Sequence, residues 1–276
     1  TNYSYASNTV QTNTSETYTL ENYLNGTAIM DGRPIGTFYS YEYLGLNPNN
    51  GVPMFDDYED RQHLLAGKML AEVVPMVMVE SGNRDPDFTG SLYATLTWKQ
   101  LSLNTNFNYR IGSKLRLFKL YSPVIRGVSS DKNVRKEFIN RWQKPGDEKY
   151  TDIPALISPG DPSYTAYSSH WSSGVSASQS KVPTFAYSLW DMYDYSNLRV
   201  VPGDYLRLSN LTLSYNFTLQ QLAGTFLKSL RLSFNVTNVF TIASSKLDGQ
   251  DPTQTSFEGV NLSVRPAYTF GLNVSF

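Results

Sequence analysis

The densest group of acidic side chains lies in FDDYEDR, residues 55–61, which holds four carboxylates. A calcium loop would place its ligands at alternate positions around a central glycine, and this stretch has no glycine. A second acid pair, in DGQDP at 248–252, is accompanied by Gly249 and Pro252, which are typical of a turn. We therefore expect solvated loops at both places and no metal site.

Groups that could act as nucleophiles or bases are few. The chain has no cysteine, which excludes thiol chemistry, cysteine-ligated zinc and disulfides, and its two histidines, His63 and His170, are far apart in sequence. It also lacks the GxSxG sequence of a nucleophile elbow and the glycine-rich loop that binds phosphates. We expect no catalytic residue and no cofactor, and hence no enzyme.

Aromatic residues are concentrated between 164 and 195, among serines and glycines. Tyrosine and tryptophan present flat faces that lose little conformational entropy on contact with a sugar ring, a peptide or another protein. The residues we expect to contact substrate or a protein lid are Tyr164, Tyr167, Trp171, Tyr187 and Trp190. The alternative is that these aromatic residues pack their own segment into a compact cap.

The composition limits the class of protein. The chain has 276 residues and a formal net charge of -1, which argues against a nucleic-acid partner because such binding needs a basic face. Charged residues make up 17% of the chain, below the ~25% typical of soluble domains, and aromatic residues make up 14%. The best apolar stretch, 73–79, contains Pro75 and is far shorter than the roughly 20 residues of a membrane helix.

Alternation of apolar and polar residues predicts long β-strands. In LSLNTNFNYRI, Leu101, Leu103 and Phe107 fall on one face, and serine and asparagine fall on the other. The strands that this period predicts are 88–98, 101–111, 205–217, 230–240 and 262–276. In the strand 205–217 the apolar residues move from even to odd positions near Ser209, which predicts a β-bulge.

The length and polar faces of these strands favour a membrane barrel. A strand in a soluble sheet usually has about 5–6 residues, whereas a barrel strand needs roughly 9–11 to cross a membrane at a tilt. The polar faces are mainly Asn, Ser and Thr, which suit a hydrated lumen, rather than the Lys and Glu of a face in bulk water. We predict an all-β, antiparallel transmembrane β-barrel, and a soluble carbohydrate-binding β-sandwich is the alternative.

The connections between strands are short at one end and long at the other. Lys99 and Gln100 alone separate the first two strands, and a modest segment joins 217 to 230. Outer-membrane barrels have short turns in the periplasm and long loops outside the cell. We therefore expect residues 113–203 to form a long extracellular loop and 241–260 to form a second one.

The chain ends in an aromatic residue that completes an alternating apolar series. The series consists of Tyr268, Phe270, Leu272, Val274 and Phe276. It resembles the C-terminal signal that is read by the machinery assembling outer-membrane barrels, and we expect it to act as an assembly signal.

The order of motifs along the chain resembles the C-terminal barrel region of the SusC/RagA-type TonB-linked outer-membrane proteins, a group of TonB-dependent receptors in Gram-negative bacteria. The matching stretches cover about half of the chain. They are GRPIGTFYSYEYLGLNPNNGVPMF (32–55), DPDFTGSLYATLTWKQLSLNTNFNYRIG (85–112), EFINRWQKPGDEKYTDIPAL (137–156), YDYSNLRVVPGDYLRLSNLTLSYNF (193–217), LRLSFNVTNVFTIASSKLDGQDP (230–252) and RPAYTFGLNVSF (265–276).

The resemblance implies a nutrient importer of the outer membrane. It implies that this chain supplies about six to eight C-terminal strands of a barrel of about 22 strands, without the plug domain and the TonB box. The implied partners are a SusD-like surface lipoprotein, TonB through a segment outside this chain, the rest of the barrel and plug, the lipid bilayer, and an oligosaccharide or peptide substrate. A passive porin-like barrel is the other alternative.

Overall fold

The structure is a computed structural model that describes residues 1–11, 18–57, 59–121, 135–170, 188–254 and 264–276. The strands are β1 (Asn2–Tyr5), β2 (Thr37–Ser40), β3 (Glu42–Leu46), β4 (Pro53–Asp56), β5 (Val79–Asn83), β6 (Phe88–Trp98), β7 (Leu101–Ile111), β8 (Lys114–Arg116), β9 (Val200–Pro202), β10 (Tyr205–Asn216), β11 (Ser229–Ala243) and β12 (Ala267–Ser275). The helices are α1 (Leu20–Leu24), α2 (Leu70–Val77), α3 (Tyr164–Ser169) and α4 (Leu189–Asp194), with 3-10 turns at Glu59–Leu65, Lys136–Asn140, Asp147–Lys149, Asn197–Arg199 and Ser245–Leu247. Each helix of the described residues is too short or too polar to traverse a bilayer.

Six strands form one antiparallel sheet in the order β1-β6-β7-β10-β11-β12. All five long strands predicted from alternation are present in it. The predicted bounds of 88–98 and 101–111 match β6 and β7, whereas β11 extends beyond 240 to Ala243. The strand predicted over 262–276 begins at Ala267, and residues 262 and 263 lie outside the described residues.

The predicted bulge at Ser209 is present. Leu208 pairs with Phe107 while Asn210 pairs with Asn106, so β10 carries one extra residue against β7. Because side chains alternate along a strand, this extra residue brings the apolar positions on both sides of the bulge to one face of the sheet. The hydroxyl of Ser209 is held by Asn108, whose Nδ2 donates to Ser209 Oγ at 2.7 Å.

The three long connections leave the sheet at the same end. Phe88 pairs with both Tyr5 and Ile111, and Tyr205 pairs with Arg110 and Ala243, so these residues form one row across the sheet. The connections 6–87, 112–204 and 244–266 therefore all begin or end along this row. The short connections, 99–100 and 217–228, lie at the opposite end, as the sequence predicted.

The described parts of the long connections fold together instead of extending into solvent. We call their described parts between 18 and 83, between 113 and 203, and from 244 to 254 the loop cluster. It contains three two-stranded sheets, β2-β5, β3-β4 and β8-β9, and a bridge in which Tyr41 pairs with Ser196. Its largest fully buried side chains are Tyr39, Tyr41, Tyr167, Tyr193, Leu24, Leu65, Leu120, Met192, Val73, Val74 and Val77. The apolar stretch around Pro75 is thus the buried helix α2 of this core.

Candidate functional site

The polar face of the six-stranded sheet is a surface of hydrogen-bonded amides and hydroxyls. On β6 and β7, Oγ1 of Thr95 and Oη of Tyr93 both donate to Oδ1 of Asn104, at 2.8 and 3.1 Å. On β10 and β11, Oγ1 of Thr212 donates to Oδ1 of Asn235 at 2.7 Å. Such side chains form hydrogen bonds with one another and also present further donors and acceptors to water or a polar solute.

The opposite face of the same sheet is apolar and uncovered. Leu96 is 69% exposed, Leu272 is 66% exposed and Phe270 is 82% exposed, although each belongs to a strand that is paired within the sheet. Exposure of such large apolar side chains to water would cost ~25 cal/mol of free energy for each Å² of apolar surface, relative to their burial. An uncovered apolar face next to a hydrated polar face is the pattern of a sheet in a lipid bilayer.

Aromatic residues flank this apolar face at both ends of the strands. Trp98 and Tyr215 lie next to the short connections and Tyr109 lies next to a long one, whereas Tyr268 pairs with Val236 in the middle of β11. Lys99 places its ammonium 5.3 Å from the centre of the Trp98 ring. Tryptophan, tyrosine and lysine are enriched at the level of lipid headgroups, so this arrangement fits two membrane interfaces.

A buried arginine joins the first two long connections. Arg116 is 3% exposed, and its Nη2 donates to the carbonyl oxygens of Leu24 and Tyr39 and to Oγ of Ser40. Its Nη1 donates to the carbonyl oxygen of Ser196. Burial lowers the pKa of Arg116 to about 9, so the guanidinium still carries its charge at neutral pH.

A second buried polar group organises the inner part of the loop cluster. Oδ1 and Oδ2 of Asp194 accept hydrogen bonds from the backbone N–H groups of Leu120 and Tyr121, at 2.6 and 2.9 Å. Burial raises the pKa of the Asp194 carboxyl to about 7, against the lowering influence of Arg199 and these two donors. Arg199 in turn donates to Glu137 at 2.7 Å. These contacts join residues of the second long connection that are far apart in sequence and hold the cluster together.

The third long connection is fastened to the sheet and to β8 by its DGQDP sequence. Gln250 is buried, and its side chain accepts from the backbone N–H of Phe118 and donates to the carbonyl oxygen of Arg116. Asp251 accepts from Arg207 on the polar face of β10. The predicted turn is therefore also a tether, which the turn residues alone did not indicate.

A polar cavity of about 470 Å³ lies within the loop cluster. It is lined by Asn49, Asn50, Arg141, Trp142, Gln143, Ala155, Leu156, Ile157, Asp161 and Ser163. Its volume is within the range of roughly 300–1,000 Å³ that small-molecule sites have. Much of its lining comes from the RWQKPGDEKYTDIPAL stretch, which sequence analysis identified as a motif without assigning it a binding role.

The aromatic residues predicted to contact substrate or a lid lie in different surroundings. Tyr167 and Trp190 are buried and pack on each other, with ring centres 5.1 Å apart, and Tyr164 packs on the same indole at 5.4 Å. Trp171 and Tyr187 lie outside the described residues. Tyr164, Tyr167 and Trp190 thus contribute to the core of the loop cluster, and their contact with a partner stays a prediction.

The predicted assembly signal is arranged as the alternation requires. Tyr268, Phe270, Leu272 and Val274 pair across the sheet with the apolar positions of β11. Phe276 lies beyond the strand, and its ring stacks on Phe226 with centres 5.6 Å apart and planes 11° apart. Its role in assembly stays a prediction.

Two residues of the acidic stretch contact cationic or titratable side chains. Nε2 of His170 lies 2.8 Å from Oδ2 of Asp57, and Arg61 lies 3.4 Å from Asp56. Among the described residues, no three His, Asp or Glu side chains converge in a way that could hold a metal ion.

Comparison with known proteins finds a similar receptor. No protein-family model matches the chain. The TonB-dependent receptor P3 of Formosa agariphila is 23% identical over 266 residues, which cover 90% of this chain and 23% of that protein. The sequence resemblance to TonB-dependent receptors is thus confirmed.

Solved structures of a transporter share the fold. The RagAB peptide transporter matches with a TM-score of 0.59 and 22% identity, over 94% of this chain and 24% of that chain. The RagAB peptide importer in its "closed-closed" state matches with a TM-score of 0.56 and 23% identity, over 94% of this chain and 25% of that chain. The predicted fold class, antiparallel β-structure that makes up part of a larger barrel, is confirmed. The chain spans about a quarter of the length of these relatives.

Proposed function

We propose that this chain is part of the barrel of a TonB-dependent outer-membrane importer that takes up oligosaccharides or peptides with a SusD-like surface lipoprotein. The single observation that carries the proposal is the six-stranded sheet with one uncovered apolar face and one hydrogen-bonded polar face. A bilayer accounts for the first face and a hydrated lumen for the second. A soluble sandwich would instead cover the apolar face with a second layer.

The transport step needs no covalent chemistry on the substrate. In the proposed cycle the substrate binds between barrel, plug and lipoprotein, and is released inward when TonB, driven by the proton gradient of the inner membrane, remodels the plug. The residues of this chain contribute the polar lumen face and the loop cluster at its outer end. The buried contacts of Arg116 and Asp194 keep the loop cluster rigid, so that a partner meets a preformed surface.

We place residues 113–203 and 241–260 outside the cell, where the loop cluster faces the lipoprotein. Among the described residues of this region, the most exposed aromatic residue is Tyr150, at 90% exposure. It follows a turn in which Asp147 accepts hydrogen bonds from the backbone N–H groups of Gln143 and Lys144. A tyrosine on a rigid turn loses little entropy on docking, so Tyr150 is the contact residue we favour.

Uptake measured in cells tests the function. We expect accumulation of labelled substrate to require the full-length protein, TonB and the proton gradient. Uptake that continues without TonB would instead support a passive porin-like barrel.

A photo-cross-linking residue in place of Tyr150 tests the partner. It should capture a surface lipoprotein in intact cells, whereas the same residue in place of the buried Tyr193, which is 1% exposed, should not. Capture only within the barrel chain would contradict docking at this turn.

A further inference from the structure

The polar cavity of the loop cluster is bordered by residues 154–158, a backbone segment without turns in which some N–H and C=O groups have no hydrogen-bond partner among the described residues. Residues 154–158 contain no turn or bend and belong to no strand or helix. Ala155 donates its N–H to the carbonyl oxygen of Gly51 at 3.1 Å. Within the part of the chain that the structure describes, Leu156 and Ile157 make no backbone hydrogen bond.

Free backbone groups beside a cavity favour a ligand that has a backbone of its own. Native proteins pair nearly all of their buried backbone N–H and C=O groups, with protein, water or ligand. Ile157 is only 6% exposed and Ala155 is 8% exposed, so this segment is not a freely solvated loop. An extended peptide that lies alongside such a segment supplies matching donors and acceptors, as in the addition of a strand to a sheet edge.

The charges that line the cavity are also unpaired. The Nη1 atom of Arg141 donates to the carbonyl oxygen of Phe138 at 3.0 Å, and no described carboxylate forms an ion pair with this guanidinium. Asp161, on the same lining, accepts from the backbone N–H of Ser163 and has no ion pair with a described residue. Because the guanidinium and the carboxylate do not pair with each other, the first can bind an anionic group of a ligand and the second can bind a cationic group of the same ligand.

The aromatic residue of the cavity is poorly placed to stack on a sugar ring. Trp142 is 8% exposed, and a Cβ atom on Gly51 would collide with its ring, so backbone covers the indole closely. Its Nε1 donates to Oε2 of Glu148 at 3.2 Å. The cavity thus offers backbone groups and separated charges instead of an open aromatic face.

We propose that this cavity binds the C-terminal stretch of a short peptide in extended form. The peptide backbone pairs with the N–H and C=O groups of Leu156, which in an extended segment point away from the side where Ala155 binds Gly51. Its free carboxylate binds Arg141, and a cationic group of the peptide faces Asp161. The proposal rests on the proposed function for the source of the ligand, because it selects peptides from the two cargo classes of the importer.

Calorimetric titration of the purified full-length receptor in detergent tests this assignment without TonB or a lipoprotein. The probes are trialanine with a free C-terminus, trialanine amide and the neutral oligosaccharide maltotriose. We expect the free acid to bind roughly tenfold to a hundredfold more tightly than the amide, because the amide loses the charged hydrogen bonds to Arg141. We expect maltotriose not to compete.

Two variants distinguish binding in the cavity from a general effect of the protein's positive charge. Arg141→Gln should bind the free acid as weakly as the wild type binds the amide, whereas Lys144→Gln, which removes an exposed positive charge beside the cavity, should bind like the wild type. Equal affinity for acid and amide in the wild type, displacement by maltotriose, no peptide binding, or unchanged binding in Arg141→Gln would each overturn the proposal. Peptide binding with uptake that is independent of TonB would reject the importer and keep the site.

Discussion

Arg207 and Asp251 join the polar face of the sheet to the third long connection. Nη2 of Arg207 lies 2.6 Å from Oδ1 and 2.7 Å from Oδ2 of Asp251, and the side chains are only 11% and 6% exposed. Asp251 also accepts from the backbone N–H and the hydroxyl of Thr253. The pair therefore fixes the position of residues 244–254 over the end of β10 that is next to the long connections.

Removal of one partner of this pair should release the connection locally. Asp251→Asn leaves Arg207 buried without its counter-charge, and breaking such a pair costs about 3–5 kcal/mol. Hydrogen exchange of the amides of 250–254 in the full-length protein should accelerate accordingly. Lys136→Gln is the control, because its pair with Asp248 has side chains that are 69% and 42% exposed. Equal acceleration in both variants would show that the buried pair is not the tether.

The orientation of the sheet is tested by an arginine placed on either face of β12. Phe270→Arg puts a charge on the apolar face and should reduce the free energy of folding into lipid bilayers by about 2–4 kcal/mol. Thr269→Arg puts the same charge one residue away on the polar face, where it should cost little. The fraction of folded protein is measured for each variant from the heat-dependent change in its mobility on gels. Equal folded fractions for the two arginine variants would contradict the orientation.

The alternation of side chains was sufficient to predict the long strands, because it reports directly which face of a strand is apolar. It also located the bulge. The apolar positions before and after Ser209 are out of phase, so an extra residue is needed there if all of them are to lie on one face. The loop cluster could not be derived in this way, because its core pairs residues far apart in sequence, such as Tyr41 with Ser196. Likewise, the abundance of aromatic residues was compatible with partner contact and with packing within the segment, and it did not decide that Tyr167 is buried in that core.

The stability of the loop cluster should depend on pH through Asp194. Burial raises the pKa of this carboxyl to about 7, from an ordinary value of 3.8, so the folded cluster holds the proton more tightly than the unfolded chain. Its contribution to stability is therefore complete below about pH 4 and is lost as the pH rises to about 7.

Protection of the α4 amides from hydrogen exchange, corrected for the intrinsic rate, should fall across this interval. The control is Asp194→Asn, which does not titrate and should remove this part of the pH dependence. A pH profile identical in the two proteins would contradict the assignment to Asp194.

The C-terminal aromatic residue should matter more for assembly than for stability. Deletion of Phe276 should lower the amount of protein in the outer membrane of cells but leave the melting temperature of the assembled protein nearly unchanged, because its ring is 68% exposed. Phe226→Ala removes the same ring contact and keeps the terminus, so it should assemble normally. Normal surface levels of the deletion variant would reject the assembly signal.

The placement of the two ends of the sheet on opposite sides of the outer membrane is the central claim, and labelling of single cysteines tests it most directly. The chain has no cysteine of its own, so Lys144→Cys reports on the loop cluster and Gln100→Cys on the turn between β6 and β7. With a membrane-impermeant maleimide, we predict that Lys144→Cys is labelled in intact cells, and that Gln100→Cys is labelled only after the outer membrane is permeabilised. Labelling of Gln100→Cys in intact cells, with Lys144→Cys protected, would contradict the account.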